Sequence, residues 1–111
     1  VDLHQGHCEA CRSDAPRATP EERSLWGQEL PHWTVEREHG VDHLVRLFTF
    51  GNFAQALDFT VRVGQMAEEQ GHHPSLLTEW GKVTVRWWTH AIGGLHRNDY
   101  VCAARTERLY T

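Results

Sequence analysis

The sequence is short of the features that define several protein classes. No apolar run approaches the roughly 20 residues that a membrane-crossing helix needs, so no membrane partner is expected. Cysteine is scarce and odd in number. Three in 111 residues do not make the framework of a small disulfide-rich domain. With no signal-peptide pattern to be read, the expectation is a reduced, cytoplasmic setting. Basic charge is not in excess either. Eleven Lys and Arg against fifteen Asp and Glu leave a formal net charge of −4, which argues against nucleic acid as the main partner. Internal repeats, low-complexity linkers and the H-E-x-x-H spacing of zinc proteases are all missing.

What is there supports one folded domain. A 40% hydrophobic fraction with five tryptophans is incompatible with disorder, and 111 residues suffice for one modest core. The excess is in histidine, with nine.

Residues 1–18 are polar and irregular and read as an N-terminal arm, with the domain proper at 19–111. Thr19, Pro20 and Glu22 then form a helix start: an N-cap, a proline at the first helical position and the far side of a capping box. This helix should reach about Leu30 and stop before Pro31. Two strands follow, 33–38 and 41–50, joined by a tight turn at His39-Gly40. The second is apolar on both faces toward its end and should be central. Asn52 caps a second helix, with Gln55 placed to reciprocate. Phe53, Ala56, Leu57, Thr60, Gly64 and Ala67 recur at helical spacing as its buried face. "EWGKVTVRWWTH" reads as a third strand, or as two strands turning at Trp80-Gly81. Val83, Val85 and Trp87 share one face; Lys82, Thr84, Arg86, Trp88 and His90 share the other. After Gly93-Gly94 a last helix runs from about His96 to Leu109. The expected fold is α+β, in the order α-β-β-α-β-β-α, with three helices on one face of a four-stranded antiparallel sheet.

The candidate chemistry lies in "EEQGHHPSLL". Gly71 and Pro74 favour ending the second helix, which puts His72 and His73 at its C-terminus, where exposed carbonyls favour an imidazolium. Glu68 is four residues before His72 and shares a helix face with it. A solvated helix end would account for the same residues. A metal site would need three or four convergent ligands, and adjacent histidines at a helix end diverge. "HCEAC", with Cys8 and Cys11 near His4 and His7, is a better metal fragment. It lacks a second CxxC or HxxxH, and reads as an arm with reduced thiols in preference to a zinc site. His90 ends a strand beside Trp88, and Asp99 falls in the first turn of the last helix, where its dipole favours a carboxylate in any case.

Taken together, Glu68, His72-His73-Pro74, Trp80, His90 and Asp99 stand at intervals that resemble the signature of the pterin-4a-carbinolamine dehydratases. The resemblance covers roughly residues 19–109. It implies dehydration of 4a-hydroxytetrahydropterin to the quinonoid dihydropterin, recycling the cofactor of aromatic amino-acid hydroxylases. The implied chemistry is proton transfer near neutral pH, without metal or cofactor. It also implies roles: His72 and His90 as acid and base, His73 binding or orienting the pterin, and Glu68 holding the amino-pyrimidine edge or tuning His72. Asp99 would orient a histidine, Pro74 would shape the loop, and Trp80 would pack around the pocket. Homodimers or homotetramers are implied as well. The competing reading is a non-catalytic dimerisation module, since animal relatives look like transcriptional coactivators.

Overall fold

The computed structural model describes residues 3–9 and 15–110. Their elements follow the expected order: α1 (Pro20–Gly27), β1 (Thr34–Glu38), β2 (Val41–Thr49), α2 (Phe53–Gln70), β3 (Ser75–Glu79), β4 (Lys82–Trp87) and α3 (Arg97–Tyr110). Short 3-10 turns at Leu3–Gln5 and His90–Ile92 are added to them. The four strands form one antiparallel sheet in the order β1-β2-β4-β3. β2 is therefore central, as its two-sided apolar pattern requires. The turn at Trp80-Gly81 is there, but "EWGKVTVRWWTH" holds only β4 and the last residue of β3, whose strand begins four residues earlier at Ser75.

Local chemistry explains the element starts. The Thr19 hydroxyl accepts from the Glu22 N–H at 3.1 Å while the Glu22 carboxylate accepts from the Thr19 N–H at 2.9 Å, a complete capping box. Asn52 Oδ1 accepts from the Gln55 N–H at 2.8 Å, but Gln55 reciprocates to the N–H of Gly51, one residue before the cap. α1 ends at Gly27 and a tight turn, not a further helical turn, carries the chain to Leu30.

The buried face of α2 differs from the expected stripe. Ala56, Phe59, Val63, Met66 and Ala67 are buried, whereas Phe53 and Leu57 are about half exposed. The helix is turned so that Phe59 enters an aromatic cluster. Its ring centroid lies 4.8 Å from Phe48, 5.1 Å from Phe50 and 5.9 Å from Tyr110. Burying one large ring there outweighs burying Leu57. On β4 the expected alternation holds: Val83, Val85 and Trp87 are fully buried toward the helices. His90, however, lies beyond the strand and starts a 3-10 turn.

The arm is not free of the body. Leu3 is buried in the core. The Gly6 carbonyl accepts from Arg105, the Cys8 N–H donates to Gln70 Oε1, and Glu9 exchanges two hydrogen bonds with the Asn98 side chain. Cys11, half of the CxxC pair, lies outside the described residues.

On the sheet face away from the helices, His43 stacks on Trp88 with centroids 4.0 Å apart. It is buried, and its Nδ1 has no hydrogen-bond partner among the described residues. Burial pushes its pKa below the ordinary histidine value; Arg86 adds to this and Glu38 opposes it.

Two predictions follow from the packing. Replacing buried Leu3 with alanine should lower unfolding free energy by about 2–3 kcal/mol, while the same change at half-exposed Leu25 should cost under about 1 kcal/mol; denaturant melts decide. His43 is harder to protonate folded than unfolded, so its contribution is present above the ordinary histidine pKa. It is lost as pH falls through the lower folded value. His43→Phe keeps the stack without the titration. Its melting temperature should therefore fall less than that of the parent between about pH 7 and about pH 5.

Candidate active site

The site is built where the end of α2 meets the start of α3. Gly71, at φ +65°, closes α2 in the left-handed conformation, and its N–H bonds back to Ala67 and Glu68 carbonyls. That conformation strains any residue with a Cβ, so glycine is the natural stop. The reversal turns His72 inward, where it is 2% exposed, and leaves His73 outward.

Asp99 meets His72 from α3. Its carboxylate is fully buried, with Oδ1 2.6 Å from His72 Nε2. A carboxylate in this role only accepts, so the proton sits on Nε2. Oδ2 accepts from the Thr89 hydroxyl at 2.8 Å and from the His96 N–H at 2.9 Å. The latter bond is the return half of a capping box, with His96 in the place of the usual Ser or Thr. The forward half is displaced by one residue, His96 Nδ1 accepting from the Asn98 N–H at 3.0 Å and not from that of Asp99. Three donors and a helix N-terminus thus compensate a charge that would otherwise be prohibitively costly to bury. Below His72 lies the Trp87 indole, nearly parallel at 5.5 Å between centroids.

Gly71, His72, His73, His90 and Ala91 line a cleft of about 350 Å³. His72 is its buried wall; His73 and His90 are exposed. His90 leans on Trp88 at 4.5 Å between centroids and a 40° tilt, on the indole that His43 also stacks against. The three histidines singled out from the sequence therefore share one cleft, and Asp99 supports it from behind.

Two expected pairings fail. Glu68 bonds His73, at 2.8 Å, not His72. The four-residue spacing assumed a continuous helix, and Gly71 ends it before His72. Trp80 does not pack around the cleft: it sits at the β3–β4 turn, 72% exposed. A two-residue hairpin puts its central side chains at the far end of the strands from His72. Pro74 lies between His73 and the first residue of β3, consistent with shaping the loop. The sequence reading passed over Thr89, although a hydroxyl next to His90 on the inward-facing side of the chain was a usable signal. Gly71 is the helix stop expected from the sequence; what the local sequence does not show is that its left-handed turn sends His72 inward and His73 outward. Among the described residues, no group of three His, Cys, Asp or Glu side chains is arranged to hold a metal ion.

Comparison with known proteins gives this geometry a family. Residues 16–109 match the family model described as pterin 4 alpha carbinolamine dehydratase. Two curated relatives carry that enzyme's name provisionally. One, from Marinobacter nauticus, is 52% identical over 109 residues, covering 98% of each chain. The other, from Saccharophagus degradans, is 52% identical over 110 residues, covering 99% of this chain and 97% of the relative. Among solved structures, a transcriptional coactivator/pterin dehydratase from Brucella melitensis superposes with a TM-score of 0.76 at 25% identity. It matches 86% of this chain and all of that one. A pterin dehydratase-like protein identified as a RuBisCO assembly factor in the alpha-carboxysome shares the fold, with a TM-score of 0.60 at 24% identity over 70% of this chain and 88% of its own. With its motif histidines gathered in one cleft and a family match that spans nearly the whole domain, the chain belongs to the pterin-4a-carbinolamine dehydratase family.

Proposed function

We propose that the chain is a hydro-lyase that dehydrates 4a-hydroxytetrahydropterin to the quinonoid dihydropterin, with histidines as the proton-transfer groups. The observation that carries this reading is the convergence of His72, His73 and His90 on one cleft, with a buried carboxylate behind His72. Losing water from the 4a carbon requires a proton on the departing hydroxyl and removal of a proton from a ring nitrogen. Imidazole gives and takes protons near neutral pH, and a general acid or base contributes typically 10²–10⁴-fold.

His72 and His90 are assigned to the two transfers. His72 is held in one tautomer and one orientation by Asp99, the arrangement that proton transfer needs. His90 stands on the exposed side, within reach of a bound ligand and of solvent for resetting its proton. His73, tied to Glu68, orients the pterin ring, and Glu68 is thereby a binding group that acts through His73. Pro74 sets the direction in which the chain leaves the cleft. Recycling of the reduced pterin used by aromatic amino-acid hydroxylases is the physiological setting this reaction fits.

Self-association accompanies this reading. Phe53, Leu57 and Val61 are each 45–49% exposed and spaced by four residues along α2, an apolar stripe of the kind a second copy covers.

Turnover of synthetic carbinolamine, corrected for spontaneous dehydration, tests the assignment. His72→Ala and His90→Ala should each lower kcat by about 10²–10⁴-fold with smaller effects on KM. Glu68→Ala should raise KM at least as much as it lowers kcat. The double histidine variant should lose less than the product of the single losses. Near wild-type turnover by a folded double variant would reduce the pair to a polar helix end and favour the docking module.

A further inference from the structure

The arm and α3 bring together two thiols that the cleft does not use. Cys8 Sγ lies 3.2 Å from Cys102 Sγ, although 94 residues separate them in sequence. Cys102 is fully buried and Cys8 is partly exposed. The backbone around Cys8 is fixed on the body by the Gln70 and Asn98 side chains: Cys8 N–H to Gln70 Oε1 at 2.9 Å, Glu9 N–H to Asn98 Oδ1 at 2.9 Å, and Asn98 Nδ2 to the Glu9 carbonyl at 2.8 Å. The sulfurs are thus held in contact by an independent set of bonds. Closing to a disulfide at about 2 Å requires a movement of only about 1 Å.

We propose that Cys8 and Cys102 form an oxidation site: a hydroperoxide converts this dithiol to a disulfide that clasps residues 3–9 to α3. The two sulfurs have complementary characters. The hydrogen bond from the Cys102 thiol lowers the Cys8 pKa, helped by the nearby His72 and Arg105 and opposed by burial and Asp99. The same pairing and burial push Cys102 up, so it keeps its proton. Cys8 is also the one of the two sulfurs that is open to solvent, so it meets the peroxide as the nucleophile and buried Cys102 is the resolving thiol.

The electrons and atoms balance with one hydroperoxide. The Cys8 thiolate attacks one peroxide oxygen and the O–O bond breaks. The departing oxyanion takes a proton to give water or an alcohol, and Cys8 becomes a sulfenic acid. The Cys102 sulfur then attacks the Cys8 sulfur and the S–O bond breaks. The hydroxide leaves with the Cys102 proton as a second water. Two thiols are oxidised by two electrons, and the peroxide is reduced by two.

The local alternative pairing is Cys8 with Cys11, three residues away in sequence. The geometry favours Cys102, because Cys8 is already bonded into the face of α3. Cys102 also follows Asp99 by three residues on that helix, less than one turn. The clasp would therefore fasten the arm to the segment that supports the cleft.

The test uses the full chain carrying Cys11→Ser, reduced and then treated with equimolar hydrogen peroxide. Free thiols are alkylated, and the protein is digested without reduction. The expected product is a monomer that has lost two hydrogens, in which the peptide holding Cys8 is joined to the peptide holding Cys102. Hydrogen exchange at the Cys8 and Glu9 amides should slow on oxidation, and adding Cys8→Ser should abolish both the cross-link and the slowing. In the parent chain the Cys8–Cys102 link should predominate over Cys8–Cys11. Several results would each overturn the proposal. These are a sulfinic Cys8 beside an alkylatable Cys102, a link between two copies in the Cys11→Ser protein, or a predominant Cys8–Cys11 bond in the parent.

Discussion

The buried carboxylate of Asp99 holds this structure together at the point where its chemistry would occur. It is fully enclosed and accepts from His72, Thr89 and the His96 backbone at once. Hydrogen bonds to a charged acceptor contribute roughly 1.5–3 kcal/mol each, and a buried charge left without them costs far more. The three donors come from three parts of the chain: the end of α2, the residues after β4 and the cap of α3. One side chain therefore fixes the mutual placement of the segments that carry His72 and His90.

The rest of the fold reads as support for that junction. Val83, Val85 and Trp87 form the buried floor of the sheet, and the Trp87 indole both backs His72 and donates to Thr106 on α3 at 3.1 Å. The aromatic cluster around Phe59 sets the rotation of α2, and Gly71 converts that rotation into directions for His72 and His73. On the opposite face, His43 stacks on Trp88, and His90 meets the same indole at a 40° tilt. The imidazole on the open side of the cleft thus rests on an indole that also contacts the buried ring of His43.

Much of this was legible in the sequence, and for physical reasons. The caps at Thr19 and Asn52, the turn at His39-Gly40 and the alternation in β4 are local, so neighbouring residues suffice to specify them. The face of α2 was misjudged because Phe59 chooses its side through partners at Phe48, Phe50 and Tyr110, which no local period records. The motif spacing identified His72, His73, His90 and Asp99, and these do assemble. Spacing alone could not distinguish a Glu68–His72 pair from the observed Glu68–His73 pair. That depends on one glycine at positive φ. Trp80 was assigned to the pocket by its place in the interval pattern, and the hairpin carries it to the surface instead. The arm's attachment was hidden for a simpler reason: Leu3, Cys8 and Glu9 find their partners at least 26 residues away.

If one carboxylate both joins the segments and sets the His72 tautomer, the two roles can be separated by an isosteric change. Asp99→Asn retains an oxygen that can accept from Thr89 and the His96 N–H, but it offers His72 Nε2 an N–H in place of an acceptor. The histidine must then carry its proton on the other nitrogen. The deciding measurement is kcat for carbinolamine dehydration by Asp99→Asn protein shown to be folded by its melting transition, alongside its affinity for a reduced pterin. The account predicts a folded protein that binds pterin near normally and turns it over about 10²–10⁴-fold more slowly. A folded Asp99→Asn protein with wild-type kcat would contradict it.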